Sequence, residues 1–141
     1  MGEPLPLDVI IAEDDSDMAQ MHRLALEHAG HTVQVTGDGA ETVDAVRESE
    51  PDVVILDLEM PRKDGYEVLE ELRADPATAE QPVMVMSNEE LTAAQENRLR
   101  RLGVADFIAK WRAEPKILVA WLRGWAAAKV SRVRRKGSSQ N

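Results

Sequence analysis

The sequence predicts a doubly wound α/β fold, with five parallel strands in one sheet, strand order 2-1-3-4-5, and helices on both faces. Three observations carry this. Short aliphatic runs alternate five times with segments whose apolar residues recur at helical spacing, and parallel neighbours need right-handed helical crossovers. The runs Val53-Val54-Ile55-Leu56 and Val83-Met84-Val85-Met86 are apolar at every position, as strands buried on both faces are. Thr32-Val33-Gln34-Val35-Thr36 alternates instead, which suits a sheet edge.

Each element follows from local signals. Val9-Ile10-Ile11-Ala12 forms the first strand and ends in Glu13-Asp14-Asp15; Ser16 and Asp17 then start a helix. Met18, Met21 and Ala25 mark the core side of that helix, and Ala29-Gly30 stops it. His22, His28 and His31, on or beside it, read as surface residues. Gly37-Asp38-Gly39 turns the second strand, and Ala40, Val43 and Val46 mark the second helix, which Pro51 separates from the central strand. That strand ends in Asp57, after which Pro61 and Asp64-Gly65 bend the chain away. Val68, Leu69 and Leu72 define the third helix, closed by Asp75-Pro76. The fourth strand ends in Ser87, also a suitable cap for a fourth helix through Leu91, Ala94, Leu99 and Leu102 to Gly103. Asp106-Phe107-Ile108-Ala109 ends in Lys110, and a last helix from about Glu114 carries a wide apolar arc of Ile117, Leu118, Trp121, Leu122 and Trp125. Trp111, Trp121 and Trp125 are expected in the core or between helices. This strand order is that of flavodoxin-like folds.

Composition sets the bounds. The 141 residues fit one domain, 1–130, followed by a basic, flexible tail, 131–141. No cysteine is present, so disulfides and thiolate metal sites are excluded. Neither a signal peptide nor a membrane-spanning run is visible, which leads to the expectation of a cytoplasmic protein without membrane contact. Residues 1–128 hold 12 basic and 26 acidic side chains, a net charge of −14 that argues against nucleic-acid binding by the body of the protein.

In the 2-1-3-4-5 order the ends of strands 1, 3, 4 and 5 share one rim, where open α/β sheets bind ligands. They present Glu13 and Asp14, then Asp57, Ser87 and Lys110. Carboxylates within about 4 Å of one another repel by a few kcal/mol per pair at an effective dielectric of roughly 20, so the cluster must protonate, separate or hold a cation. Oxygen ligands alone favour a hard cation, Mg²⁺ first. Lys110 and Ser87 supply a charge and a hydrogen-bond donor for a phosphoryl group, and Asp57 between them is placed as its nucleophile.

The run from Val9 to Lys110 resembles the receiver domain of two-component response regulators. The likeness rests on the Glu13-Asp14 pair, the segment Leu56-Asp57-Leu58-Glu59-Met60-Pro61 through Asp64-Gly65, the hydroxyl of Ser87 and Lys110. The resemblance implies a phosphoacceptor, Asp57, charged by a sensor histidine kinase or a histidine phosphotransfer protein. It implies Mg²⁺ held by Asp14, Asp57 and the backbone carbonyl of Glu59, with Glu13 acting through water. Ser87 and Phe107 become switch residues whose movement alters the face of the fourth helix, fifth strand and fifth helix, including Arg98, Arg101, Asp106 and the region near Trp121. That face would engage a downstream protein or a second copy of the chain. A stand-alone regulator, catalysing no more than its own phosphorylation and dephosphorylation, is the expectation. Trp111 stands where the family has a proline joined by a cis peptide, Asn88 is bulkier than the usual small residue, and Glu59 and Glu89 flank the expected phosphoryl site with charge. Two rivals are a receiver-like interaction module that no longer takes phosphate and an Asp-nucleophile phosphohydrolase. The latter class carries a second aspartate two residues after the nucleophile, where this chain has Glu59.

Overall fold

The computed structural model describes residues 6–139, with side chains described through residue 128. Five strands, β1 (Asp8–Ala12), β2 (Thr32–Thr36), β3 (Val53–Asp57), β4 (Val83–Ser87) and β5 (Asp106–Ala109), form one parallel sheet in the order β2-β1-β3-β4-β5. The helices are α1 (Ser16–His28), α2 (Gly39–Ser49), α3 (Gly65–Ala74), α4 (Ala93–Arg101) and α5 (Pro115–Ser139), with one 3-10 turn at Lys110–Arg112. The fold class and strand order are those read from the sequence. The expected basic tail, 131–141, lies outside the residues described in full.

Alternate strand residues feed two cores. Ile10, Val54, Leu56, Val83 and Val85 pack with Val43, Val46, Leu69, Leu72 and Leu99 from α2, α3 and α4. Val9, Ile11, Val53, Ile55, Met84 and Met86 pack with Leu26, Leu118 and Leu122 from α1 and α5. All residues of β3 and β4 are buried, the physical reason their sequence shows no alternation. At about 25 cal/mol per Å² of apolar surface, these two strands form the chief hydrophobic anchor of the rim they carry.

Helix α1 starts at Ser16, as read from the sequence, and Asp15 caps it, its carboxylate accepting from the backbone N–H groups of Asp17 and Met18. Thr92, not Ser87, caps α4 through a reciprocal pairing with Gln95, so Leu91 lies before the helix. Side-chain placement also departs. The buried stripe of α1 is Ala19, His22 and Leu26, whereas Met21 is 43% exposed. His22, expected at the surface, is 1% exposed, and His31 accepts the Leu7 N–H through Nδ1 at 3.1 Å. Trp111 is 62% exposed rather than core, and Ile117 is exposed as well.

Gly65 sits where a side chain has no room: a Cβ there would stand 2.7 Å from Leu58 Cα and 2.9 Å from the Asp57 carbonyl oxygen. This close approach brings the start of α3, capped by Asp64 and Glu67, directly under the end of β3. Among the described residues no helix is long and apolar enough to cross a membrane.

Candidate functional site

Sheet register sets the level of each rim group. Ala12 pairs with Leu56, so Glu13 and Asp57 leave β1 and β3 side by side. Asp57 pairs with Met86 and Ser87 with Ala109, so Ser87 and Lys110 follow one residue further along β4 and β5. The structure thus brings together all the strand-end groups singled out in the sequence.

Lys110 is the hub. Its Nζ lies 2.7 Å from Asp57 Oδ2 and 2.7 Å from Glu13 Oε1, and donates to Glu13 Oε2 at 3.0 Å. Asp57 is 0% and Glu13 1% exposed. The Glu59 N–H donates to Asp57 Oδ1 at 3.0 Å, and the Asp15 N–H to Glu13 Oε2 at 3.3 Å. The lysine reaches this position from a turn built without a cis bond: no cis peptide occurs among the described residues, and Trp111 follows Lys110.

Burial pushes the Asp57 carboxyl up to about 8, with Glu13 adding to the rise and Lys110 and the Glu59 amide opposing it. Burial works to raise Glu13 as well, but its hydrogen bonds with Asp57, Lys110 and the Asp15 amide hold it below the ordinary value. Burial works to lower Lys110, and the two carboxylates more than offset it, so its ammonium is held above the ordinary range. Glu13 and Asp57 therefore titrate as one coupled pair, in which burial favours the protonated form of Asp57 and the Lys110 ammonium favours the charged form of both.

Exposed Asp14 completes an acidic cluster: Glu13, Asp14 and Asp57 each offer an oxygen, all within 4.8 Å of one another. Glu13 Oε1 is buried and makes no hydrogen bond, only the ion pair with Lys110. Three carboxylates within 4.8 Å of one another, facing the one ammonium group of Lys110, fit a cation, and the all-oxygen donor set fits a hard one. Asp15 is turned away as the cap of α1, which leaves the pair as Glu13 and Asp14.

Ser87 is 2% exposed. Its Oγ lies 3.1 Å from Glu59 Oε1 and 3.0 Å from the Glu89 carbonyl oxygen, and it accepts the Glu89 N–H at 3.3 Å. Glu59 Oε2 accepts the Asn88 N–H at 3.0 Å. The Glu59 carboxylate therefore spans the two donors at the end of β4. Sequence reasoning gave this side chain only a flanking charge; its position two residues past Asp57 was the available signal.

Phe107 is half-buried beneath the Arg100 guanidinium, 5.5 Å from the ring centre, and borders an open groove of about 300 Å³ that begins at Ser87 and includes Leu91 and Trp111. On the adjoining face, Trp121 Nε1–H donates to Asp106 Oδ2 at 2.6 Å. Arg98 is turned away from it toward α3, 2.5 Å from Glu70 Oε1 and 4.3 Å over the Tyr66 ring, so it does not join that face as expected. Opposite charge and a π-face on α3 draw it there.

A family model for the response regulator receiver domain matches residues 9–121. The DNA-binding response regulator MtrA of Mycobacterium tuberculosis (strain H37Rv) is 35% identical over 115 residues, covering 82% of this chain and 48% of that protein. The chain spans about half the length of the curated relatives it matches. Among solved structures, the receiver domain of the Francisella response regulator 1452 has a TM-score of 0.77 at 25% identity, covering 87% of this chain and 98% of that one. A putative response regulator from Chloroflexus aurantiacus has a TM-score of 0.76 at 28% identity, covering 87% and 99%. The match spans every strand that feeds the rim, and by it the chain belongs to the response regulator receiver domain family.

Proposed function

We propose that Asp57 accepts a phosphoryl group from a phosphohistidine of a sensor histidine kinase or histidine phosphotransfer protein, with Mg²⁺ as cofactor, and that the change is passed to a partner protein. The observation that carries this is Lys110 Nζ standing 2.7 Å from the buried Asp57, with the Ser87 hydroxyl at the next strand end. Asp57 attacks phosphorus in line; the P–N bond to histidine breaks as the acyl phosphate P–O bond forms, and the imidazole nitrogen keeps the electron pair and takes a proton. Attack needs the carboxylate, which burial opposes and the Lys110 ammonium and the Glu59 N–H favour. Lys110 is set to follow the new negative charge onto a phosphoryl oxygen, and Ser87 to donate to another once Glu59 lets it go.

Asp14, Asp57 and the Glu59 backbone carbonyl would hold Mg²⁺, with Glu13 acting through water. When bound, the metal neutralises charge on the phosphoryl oxygens. Ser87 moving inward would free Phe107 to follow it, altering the face of α4, β5 and α5 for a protein partner or a second copy. No catalysis beyond the protein's own phosphorylation and dephosphorylation is proposed, and the proposed compartment is the cytoplasm. For residues 1–128, with a net charge of −14, the proposed partner is protein rather than nucleic acid.

One observation favours a second reading, a module that binds without taking phosphate: Glu59 already occupies the Ser87 hydroxyl and the Asn88 amide. A phosphohydrolase gains no support, because the Glu59 carboxylate bonds to the end of β4 and not toward Asp57. Incubation with Mg²⁺ and acetyl phosphate separates the three: a labile adduct on Asp57 for the receiver, none for the inert module, steady release of phosphate for a hydrolase.

A further inference from the structure

The turn that carries Lys110 has few anchors of its own. It leaves β5, closes through the Ala113 N–H donating to the Lys110 carbonyl at 3.0 Å, and exposes Trp111 and Arg112, whose side chains stack on each other 4.7 Å apart. Ala113 is the exception, 3% exposed in the core beside α1 and α5. There His22, 91 residues earlier and 1% exposed, lies with Nε2 2.8 Å from the Ala113 carbonyl oxygen. A carbonyl can only accept, so Nε2 carries the proton; Nδ1 is buried with no partner. A histidine that buries one unsatisfied nitrogen to make one long-range bond to backbone is poorly explained as core filling, since an aliphatic residue would fill the space without leaving a polar atom unpaired.

We propose that His22 is a positioning residue for Lys110. It ties the lysine's turn to α1, whose Asp15 cap begins two residues after Glu13. One helix thereby fixes both the acid pair and the turn that aims the ammonium group at it, which lets this chain hold Lys110 2.7 Å from Glu13 and Asp57 through a turn that contains no proline. The inference deepens the proposed function and rests on it for the consequence to phosphorylation, but the placement of Lys110 is measurable without it.

The test compares His22→Gln, whose amide N–H can reach the Nε2 position, with His22→Leu and with His22→Asn, whose amide falls short. The first readout is the side-chain ammonium NMR signal of Lys110 in the full chain. It is expected to stay near its wild-type position in His22→Gln and to shift or vanish by exchange in the other two. The second is the initial rate of Asp57 phosphorylation by acetyl phosphate with Mg²⁺, expected to fall by up to about a hundredfold in His22→Asn and His22→Leu, as a misplacement of the order of 1 Å would cause, and to recover in His22→Gln. In a Lys110→Ala background the His22 substitutions are expected to have no further effect on that rate. If His22→Leu fails to fold, the two polar variants carry the comparison. Equal Lys110 signals and equal rates in His22→Gln and His22→Asn overturn the inference. A wild-type chain that takes no phosphate overturns the functional reading instead, and the NMR comparison then decides this one alone.

Discussion

Removing the Glu59 carboxylate should speed phosphorylation of Asp57. Glu59 accepts from the Ser87 hydroxyl at 3.1 Å and from the Asn88 N–H at 3.0 Å, the two donors that a phosphoryl group would need at the end of β4. A hydrogen bond to a charged acceptor contributes about 1.5–3 kcal/mol when sheltered, but Glu59 is exposed, so about 0.5–1 kcal/mol each is the better figure. Together they hold the donors back by about 1–2 kcal/mol, which corresponds to roughly 5- to 30-fold in the population ready to receive phosphate. Loss of one negative charge facing an anionic donor acts in the same direction. Glu59→Ala is therefore expected to raise the initial rate with acetyl phosphate, in saturating Mg²⁺, by about 5-fold or more, and Glu59→Gln by less, because its amide oxygen still accepts. The backbone carbonyl proposed as a metal ligand stays in place in both variants. Intact-mass time courses read the adduct directly. A rate in Glu59→Ala equal to or below wild type would show that the carboxylate does not compete for these donors.

Three further outcomes follow from the geometry. In metal-free buffer, Asp57 is raised from 3.8 to about 8, so between those values the folded chain binds a proton that the unfolded chain has released. Stability should then fall as pH rises through that window; at about 1.4 kcal/mol per unit even part of the rise amounts to a few kcal/mol, and Asp57→Asn should flatten the slope in urea titrations at pH 5 and 8. The depressed Glu13 contributes in the opposite sense and only below its ordinary value of 4.5, outside the compared range. Asp14→Ala should abolish the heat of Mg²⁺ binding in calorimetry while leaving thermal stability equal or higher, since it removes one member of a like-charge cluster; retained affinity would place the ion elsewhere. Gly65→Ala should cost about 1–3 kcal/mol in chemical denaturation and slow phosphorylation, because the added Cβ meets Leu58 Cα and the Asp57 carbonyl, backbone that cannot yield cheaply.

The strands and the rim were legible because their signals are local and redundant. Continuous apolar runs at β3 and β4 require burial on both faces, and once the strand order is fixed, the residue after each run must stand at the same edge. Side-chain facing on the helices was less legible. In α1 the apolar residues Met18 and Met21 suggested one stripe, but packing against α5 buries the stripe through Ala19, His22 and Leu26, and a polar residue inside it leaves no periodic trace. Trp111 was expected inside on its size alone; Lys110 must turn toward Asp57, and its neighbour on the same tight turn faces outward. The start of α4 was written in the sequence as Thr92-Ala93-Ala94-Gln95, a capping pair overshadowed by Ser87, whose hydroxyl is bound to the site instead.

The central claim is that Asp57 is the phosphoacceptor, and intact-mass analysis of the full chain with Mg²⁺ and acetyl phosphate tests it most directly. A single phosphoryl adduct that requires Mg²⁺, is lost at alkaline pH as an acyl phosphate should be, and is absent from Asp57→Ala is the expected result. An adduct that persists in Asp57→Ala, or no adduct on the folded wild-type chain, would contradict it.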